Sequence, residues 1–131
     1  MRFLLDTNTI IALYNNSNSK LRAHITSHQP ADIAISSLVA HELYYGAYKS
    51  QRVEQNLAKV DYLPFEVIAF DKEDAQQAGE IRAELAKSGT PIGPYDVLIA
   101  GQALARNLTL VTHNTKEFNR ITNLMLEDWL I

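Results

Sequence analysis

The chain of 131 residues contains no cysteine, which excludes disulfide frameworks and thiolate metal sites and leaves oxygen or imidazole as the only ligands for a metal. Any ion held here would be hard. A basic excess is missing as well: 12 Lys and Arg stand against 15 Asp and Glu, giving a net charge of −3, so no global positive field advertises a polyanion partner. A site made of carboxylates starts several charges down, however, and a local patch can still steer phosphate. Long apolar runs are also lacking. The opening stretch "MRFLLDTNTIIALY" is broken by Asp6 and Asn8 before a signal-peptide core can form, and no segment is long enough to span a bilayer. A cytoplasmic protein without membrane contact is expected.

What is present is ordinary for a folded protein: 47% hydrophobic and 21% charged residues indicate neither wholesale disorder nor a membrane class. The length suits one domain spanning residues 1–131. There is no internal repeat or low-complexity tract, and Gly and Pro fall between periodic segments, where turns belong. "RFLL" reads as a strand ending at Asp6, and Thr7 or Asn8 can cap the helix "TNTIIALYNN" that follows. "DIAIS" reads as a second strand, after which Ser36 or Ser37 caps "LVAHELYYGAYK", the helix carrying Glu42. "QRVEQNLAKVDYLP" is a further helix stopped before Pro64, and "FEVIAF" is a strand leading to Asp71, which begins a capping pattern. A long helix follows, with Ala75, Ala78, Ile81 and Leu85 on one face and Gly89 as its stop. Beyond the loop, "PYDVLIAGQALA" is a helix with Gly93 as cap and Pro94 at its first position. "LTLVT" is a strand, "HNTKEFNRI" a short helix and "LMLEDWLI" a terminal strand or extended tail.

Strands alternating with helices imply a mainly parallel sheet covered on both faces, an α/β three-layer sandwich whose site lies at the carboxyl ends of the strands. Four acidic positions fall where such a site would gather them. Asp6 directly follows the first strand, although Asp commonly serves there as a turn residue. Glu42 lies near the sheet-facing edge of its helix, although a half-exposed helix Glu is common. Asp96 occupies the first turn of an unusually apolar helix, where the helix dipole alone favours an acid by about 0.3–1 kcal/mol. Glu117 stands at capping-box spacing from Asn114 beyond the strand "LTLVT", so capping and site roles are both open. Gathered together, such groups repel and raise one another's pKa values unless a cation neutralises them; Mg²⁺, which prefers oxygen ligands and keeps waters for phosphates, suits the cluster.

"LLDTN", "SSLVAHELYYGA", "GTPIGPYDVLIAGQALAR", "LVTHNTKEF" and the closing "LEDW", in this order, resemble the PIN-domain ribonucleases called VapC, the toxins of type II toxin–antitoxin pairs. The resemblance covers nearly the whole chain. It implies a PIN-like sandwich and an endoribonuclease in which Asp6, Glu42, Asp96 and Glu117 are the catalytic acids. Asp6 and Asp96 would be the principal Mg²⁺ ligands, with Mn²⁺ as a substitute. Many PIN domains carry Asp where this chain has Asn114, so Glu117 is the substitute fourth group, and Thr7, Asn8, Thr112 and Asn114 are implied as orienting groups. The implied substrate is structured RNA, chiefly tRNA in the anticodon region, whose cleavage stops translation. The implied partners are a VapB-type antitoxin, a second toxin copy in a homodimer, a toxin–antitoxin hetero-oligomer, and operator DNA reached only through the antitoxin. Lys49, Arg52, Arg82 and Lys87 are candidate phosphate contacts, and Tyr44, Tyr45 and Tyr48 candidate protein contacts.

Two other readings compete. One is a catalytically weak PIN fold kept for binding, suggested by Asn114. The other is a phosphoacceptor signalling domain, which would want paired acids after the first strand and a Lys after the last; the chain has "DTN" and "THN" there.

Overall fold

Short apolar runs that are buried on both sides form parallel strands. In the computed structural model, which describes residues 1–131, five strands pair into one sheet, the inner ones largely buried and the edge strands β3 and β5 more exposed: β1 (Phe3–Leu5), β2 (Ile33–Ser36), β3 (Glu66–Ile68), β4 (Thr109–Val111) and β5 (Leu126–Glu127). All pairings are parallel and the order is β3-β2-β1-β4-β5. Phosphoacceptor domains of the flavodoxin-like type run 2-1-3-4-5, so the sheet departs from that alternative. The order reverses direction at β1, from which the chain first builds outward to β3 and then returns to add β4 and β5 on the other side. In such sheets ligands bind outside the carboxyl ends of the strands where the order reverses, here the crevice position between β1 and β4.

Seven helices cover the sheet: α1 (Thr7–Asn15), α2 (Ser19–Ser27), α3 (Ser37–Tyr48), α4 (Val53–Asp61), α5 (Lys72–Lys87), α6 (Pro94–Ala105) and α7 (Thr115–Phe118). Right-handed crossovers send α1 to α4 to one face and α5 to α7 to the other. The observed packing of α1 on α3, α3 on α4, and α5 on α6 agrees with this division. Phe3, Leu4, Leu5, Ile33, Ile35 and Leu110 are almost wholly buried between the layers.

Several local expectations change. Asp6, rather than Thr7 or Asn8, caps α1: its Oδ1 accepts the Thr9 N–H at 2.9 Å, because Asp6 is the last extended residue before the helix. Ser36 caps α3 by accepting the Leu38 N–H at 3.0 Å. On α5 the inward face runs through Asp74, Ala78, Ile81 and Leu85, and Ala75 is exposed. Asp74 is drawn in by polar partners: it accepts hydrogen bonds from the Asp71 N–H, the Gln102 amide and the Arg106 guanidinium. Gly89, at φ +67, ends α5 with the Thr90 N–H donating to the Leu85 carbonyl at 2.9 Å, the helix stop expected of a left-handed glycine. Helix α2 has no counterpart in the sequence reading. Its His24 and His28 rings lie nearly parallel to that of Trp129, at 5.1 and 5.4 Å, so its anchor is a residue more than a hundred positions away.

Candidate active site

Strand β1 delivers Asp6 to the crevice. Its backbone N–H donates to the Val111 carbonyl at 3.2 Å, tying it to the end of β4, and the Thr9 hydroxyl donates to the same carbonyl at 3.3 Å. The side chain is 8% exposed. One carboxylate oxygen caps α1 and the other takes no bond within the chain, so the capping and site readings of Asp6 are compatible.

Asp96 arrives from the opposite face of the sheet on the first turn of α6. Gly93 precedes it as the cap, and a β-carbon at Gly93 would stand 3.2 Å from Asp96 Oδ2. The carboxylate thus folds back close over Gly93, and a larger residue there would have to displace it by a few tenths of an ångström. Helix α6 is as central as its composition suggested: Val97, Ile99, Ala100, Gly101, Gln102 and Ala103 are all buried. Such a rod holds its first turn rigidly.

Past β4, Thr112 is buried and its Oγ1 accepts the Asn114 N–H at 3.0 Å. The expected capping box from Asn114 to Glu117 does not form, since Asn114 makes no side-chain cap. Its amide donates instead to Glu117 Oε2 at 2.9 Å, steadying that carboxylate while leaving Oε1 without a partner in the chain. Glu42, half buried on α3, opens onto a groove shared with Ile11, Tyr14, Asn15 and Lys59.

The four acidic groups converge electrostatically. Burial first, and then the charges of Glu117, Asp6 and Glu42 in that order, push the Asp96 carboxyl above its ordinary range. Nothing cationic offsets them, because the chain's ion pairs are those of Arg106 with Asp71 and Asp74 and of His113 with Asp128. No three His, Asp or Glu side chains come close enough to enclose a cation unaided. Like charges held near one another without a counter-ion spread apart, and a set of oxygen donors that repel is one that a hard cation suits. A second observation points the same way: the Thr7 hydroxyl, next to Asp6, is buried with no hydrogen-bond partner, a state that normally costs about 1–3 kcal/mol. Asn8 is exposed.

Of the remaining expected residues, Lys49, Arg52, Arg82 and Lys87 are all exposed. The Lys49 ammonium sits 4.8 Å from the centre of the Tyr45 ring, and Arg82 borders a groove with Pro91, Ile92 and Pro94, the loop leading into Asp96. Tyr44 is half buried and donates to the Asp61 carboxylate. Tyr45 and Tyr48 are 61% and 65% exposed, so two of the three are surface rather than core. Sequence reasoning passed over His41 and Tyr95; their signal was that each immediately precedes an acid of the cluster.

Comparison with known proteins identifies the family of this fold. The family model described as the PIN domain matches residues 3–124. The tRNA(fMet)-specific endonuclease VapC of Salmonella typhimurium is 44% identical over 131 residues, 98% of either chain. Ribonuclease VapC2 of Rickettsia felis is 43% identical over 137 residues, again 98% of each. The toxin chain in the crystal structure of DNA-bound VapBC from Salmonella typhimurium superposes with a TM-score of 0.93 at 44% identity, over 98% of both chains. The Rickettsia felis VapBC2 structure, bound to a promoter DNA fragment, gives 0.90 at 41% identity, over 98% of this chain and 99% of that one. The chain belongs to the PIN-domain family, among its VapC-type ribonucleases.

Proposed function

We propose that this endoribonuclease hydrolyses phosphodiester bonds in structured RNA, with tRNA cut in the anticodon region as the substrate, that the reaction depends on Mg²⁺, and that it arrests translation. The observation that carries the reading is Asp96, pushed towards its neutral form first by burial and then by three other carboxylates, near the carboxyl ends of β1 and β4. Asp6 and Asp96 are the residues that would hold the ion. A divalent cation bound there supplies Lewis acidity to water and to the scissile phosphate, and Mn²⁺ should substitute.

The chain's own groups do the rest. Glu42, the last of the three charges acting on Asp96, accepts the proton of the attacking water or holds a hydrated ion. Glu117, steadied by the Asn114 amide, completes the acidic set. Thr112 fixes the Asn114 backbone, and the unpartnered Thr7 hydroxyl is free to hold a water beside Asp6, with Asn8 at the rim. No covalent intermediate is needed.

The similar solved structures are of VapBC complexes, two of them on DNA. This supports a VapB-type antitoxin as partner; with it we propose a toxin homodimer within a larger hetero-oligomer, and operator DNA contacted only through the antitoxin. Tyr45 and Tyr48 are exposed and available for such contacts. We take residues 1–131 to act as a single PIN domain in the cytoplasm; no helix is long and apolar enough to cross a membrane. A binding-only role is the second reading, favoured by the open spacing of the acids and by Asn114.

Cleavage of total cellular RNA by the purified chain, with Mg²⁺ and with EDTA, separates the two. Discrete Mg²⁺-dependent fragments are expected. Asp6→Asn and Asp96→Asn should each abolish them while circular dichroism stays unchanged, since Asn caps α1 as well as Asp does. Glu117→Gln should raise the Mg²⁺ concentration needed. Cleavage that persists in both Asn variants would refute the assignment.

A further inference from the structure

Two exposed aromatic rings meet from helices on opposite faces of the sheet, each on the residue before an acid of the cluster. His41 immediately precedes Glu42 on α3, and Tyr95 immediately precedes Asp96 on α6. Their ring centroids lie 6.2 Å apart with planes tilted by 39°, so the pair bridges the two elements. His41 is exposed and Tyr95 is 45% exposed. The partly buried tyrosines are anchored differently, Tyr14 donating to the Lys59 carbonyl and Tyr44 to Asp61. Single exposed aromatics are common and carry little meaning. An exposed pair spanning a cleft, each member one residue from an acid of the site, is another matter.

RNA bases are read largely where they are unpaired, by stacking on aromatic faces, and an exposed ring beside a phosphate-cleaving centre offers such a face. A base inside an A-form helix presents no free ring face, because its neighbours already cover it. Resting on the ribonuclease reading above, we propose that Tyr95 and His41 form the stacking platform for an unpaired base next to the scissile phosphate. The site then accepts a nucleotide splayed from a loop and rejects the same nucleotide within a duplex. Both groups touch substrate, and both set where along the RNA the carboxylates act. Both rings are exposed, and exposed side chains adjust to a planar guest at little cost.

The test uses the whole chain and a loop RNA that it cuts, with 2-aminopurine at the nucleotide flanking the cut. Tyr95→Leu removes the π face and should raise KM by about 5- to 100-fold with a smaller change in kcat; His41→Leu should act in the same direction. Tyr95→Phe keeps the face and should stay within about threefold. In EDTA, binding should quench the 2-aminopurine with the wild type and Tyr95→Phe but not with Tyr95→Leu. Enclosing the same nucleotide in a perfect duplex should abolish cleavage. Wild-type KM and wild-type quenching in Tyr95→Leu would overturn the proposal. So would a Tyr95→Leu effect confined to self-association in sedimentation, which would make the ring a contact to a second copy. If the wild type cut no RNA, the ribonuclease reading would fail, and the quenching series would still decide whether a base stacks there.

Discussion

A carboxylate held half buried beside three others ionises less readily than one in water, and Asp96 is in that position. Its carboxyl is raised, so the stability linked to its neutral form is fully present below the ordinary carboxylate pKa and is lost as pH rises through the raised value. At neutral pH and without metal, the folded chain therefore carries a strain that Asp96→Asn removes. Because the group is about half exposed, solvent screening limits the gain to a few tenths of a kcal/mol, up to about 1 kcal/mol. Thermal unfolding in EDTA should find the variant more stable at pH 7 and equal to the wild type near pH 3. Added Mg²⁺ should then raise the wild type's Tm and not the variant's. A variant no more stable at pH 7 would mean that hydration already quenches the repulsion. The sequence singled out Asp6, Glu42, Asp96 and Glu117 from their places at strand ends and on the helices that follow, and the structure sets Asp96 within reach of the charges of the other three. What could not be read was division of labour within a residue, as when one oxygen of Asp6 caps α1 while the other stays free, or when Asn114 spends its amide on Glu117 rather than on a cap.

The helices show why pattern carries so far and then stops. Strands and helices with strong apolar periods were legible, and so were the stops at Gly89 and Pro64. Helix α2 was not, because "SKLRAHITS" is mostly polar and what seats it is the stacking of His24 and His28 on Trp129, a contact that no local window contains. The α5 face was misjudged by one residue for a similar reason: Asp74 is buried because Arg106 and Gln102, far along the chain, meet it there. The same pair of helices supplies a sharp prediction. A β-carbon on Gly101 would lie 2.6 Å from the Cα, Cβ and backbone N of Ala78. Alanine is ordinarily the better helix former by about 0.8–1 kcal/mol, but here the obstruction is backbone and cannot rotate away. Gly101→Ala should therefore destabilise by about 1–3 kcal/mol, the usual range for overpacking, and Ala78→Gly should fail to rescue it, because two of the three obstructing atoms remain. Urea midpoints of the three variants decide the point; full rescue by Ala78→Gly would show that the Cβ alone was in the way. Since Asp96 heads α6, a shift of this contact should also lower RNA cleavage.

The whole molecule faces an electrostatic contradiction: a net charge of −3, an acidic crevice, and a substrate of phosphates. Neither the exposed Lys49 and Arg52 near α3 nor Arg82 and Lys87 on α5 balances the site locally, and none of them pairs with an acid. RNA approaching the metal-free protein must therefore meet repulsion at the carboxylates, the proposed place of cleavage. A cation removes that repulsion, and so does neutralising the ligands by substitution. The double variant Asp6→Asn/Asp96→Asn keeps the α1 cap and the shape of both side chains while deleting two negative charges. In EDTA, where nothing is cleaved, it should bind a tRNA about tenfold more tightly than the wild type at low salt, two near charges each contributing up to about 1 kcal/mol in a watery cleft. Raising the salt should shrink the difference as screening shortens the reach of the carboxylates, and adding Mg²⁺ should close it from the other side by strengthening wild-type binding alone. Fluorescence anisotropy with a labelled tRNA measures all three. Equal affinities in EDTA at low salt would mean that the RNA backbone does not pass these carboxylates, and the crevice between β1 and β4 would lose its claim to be the cleavage site.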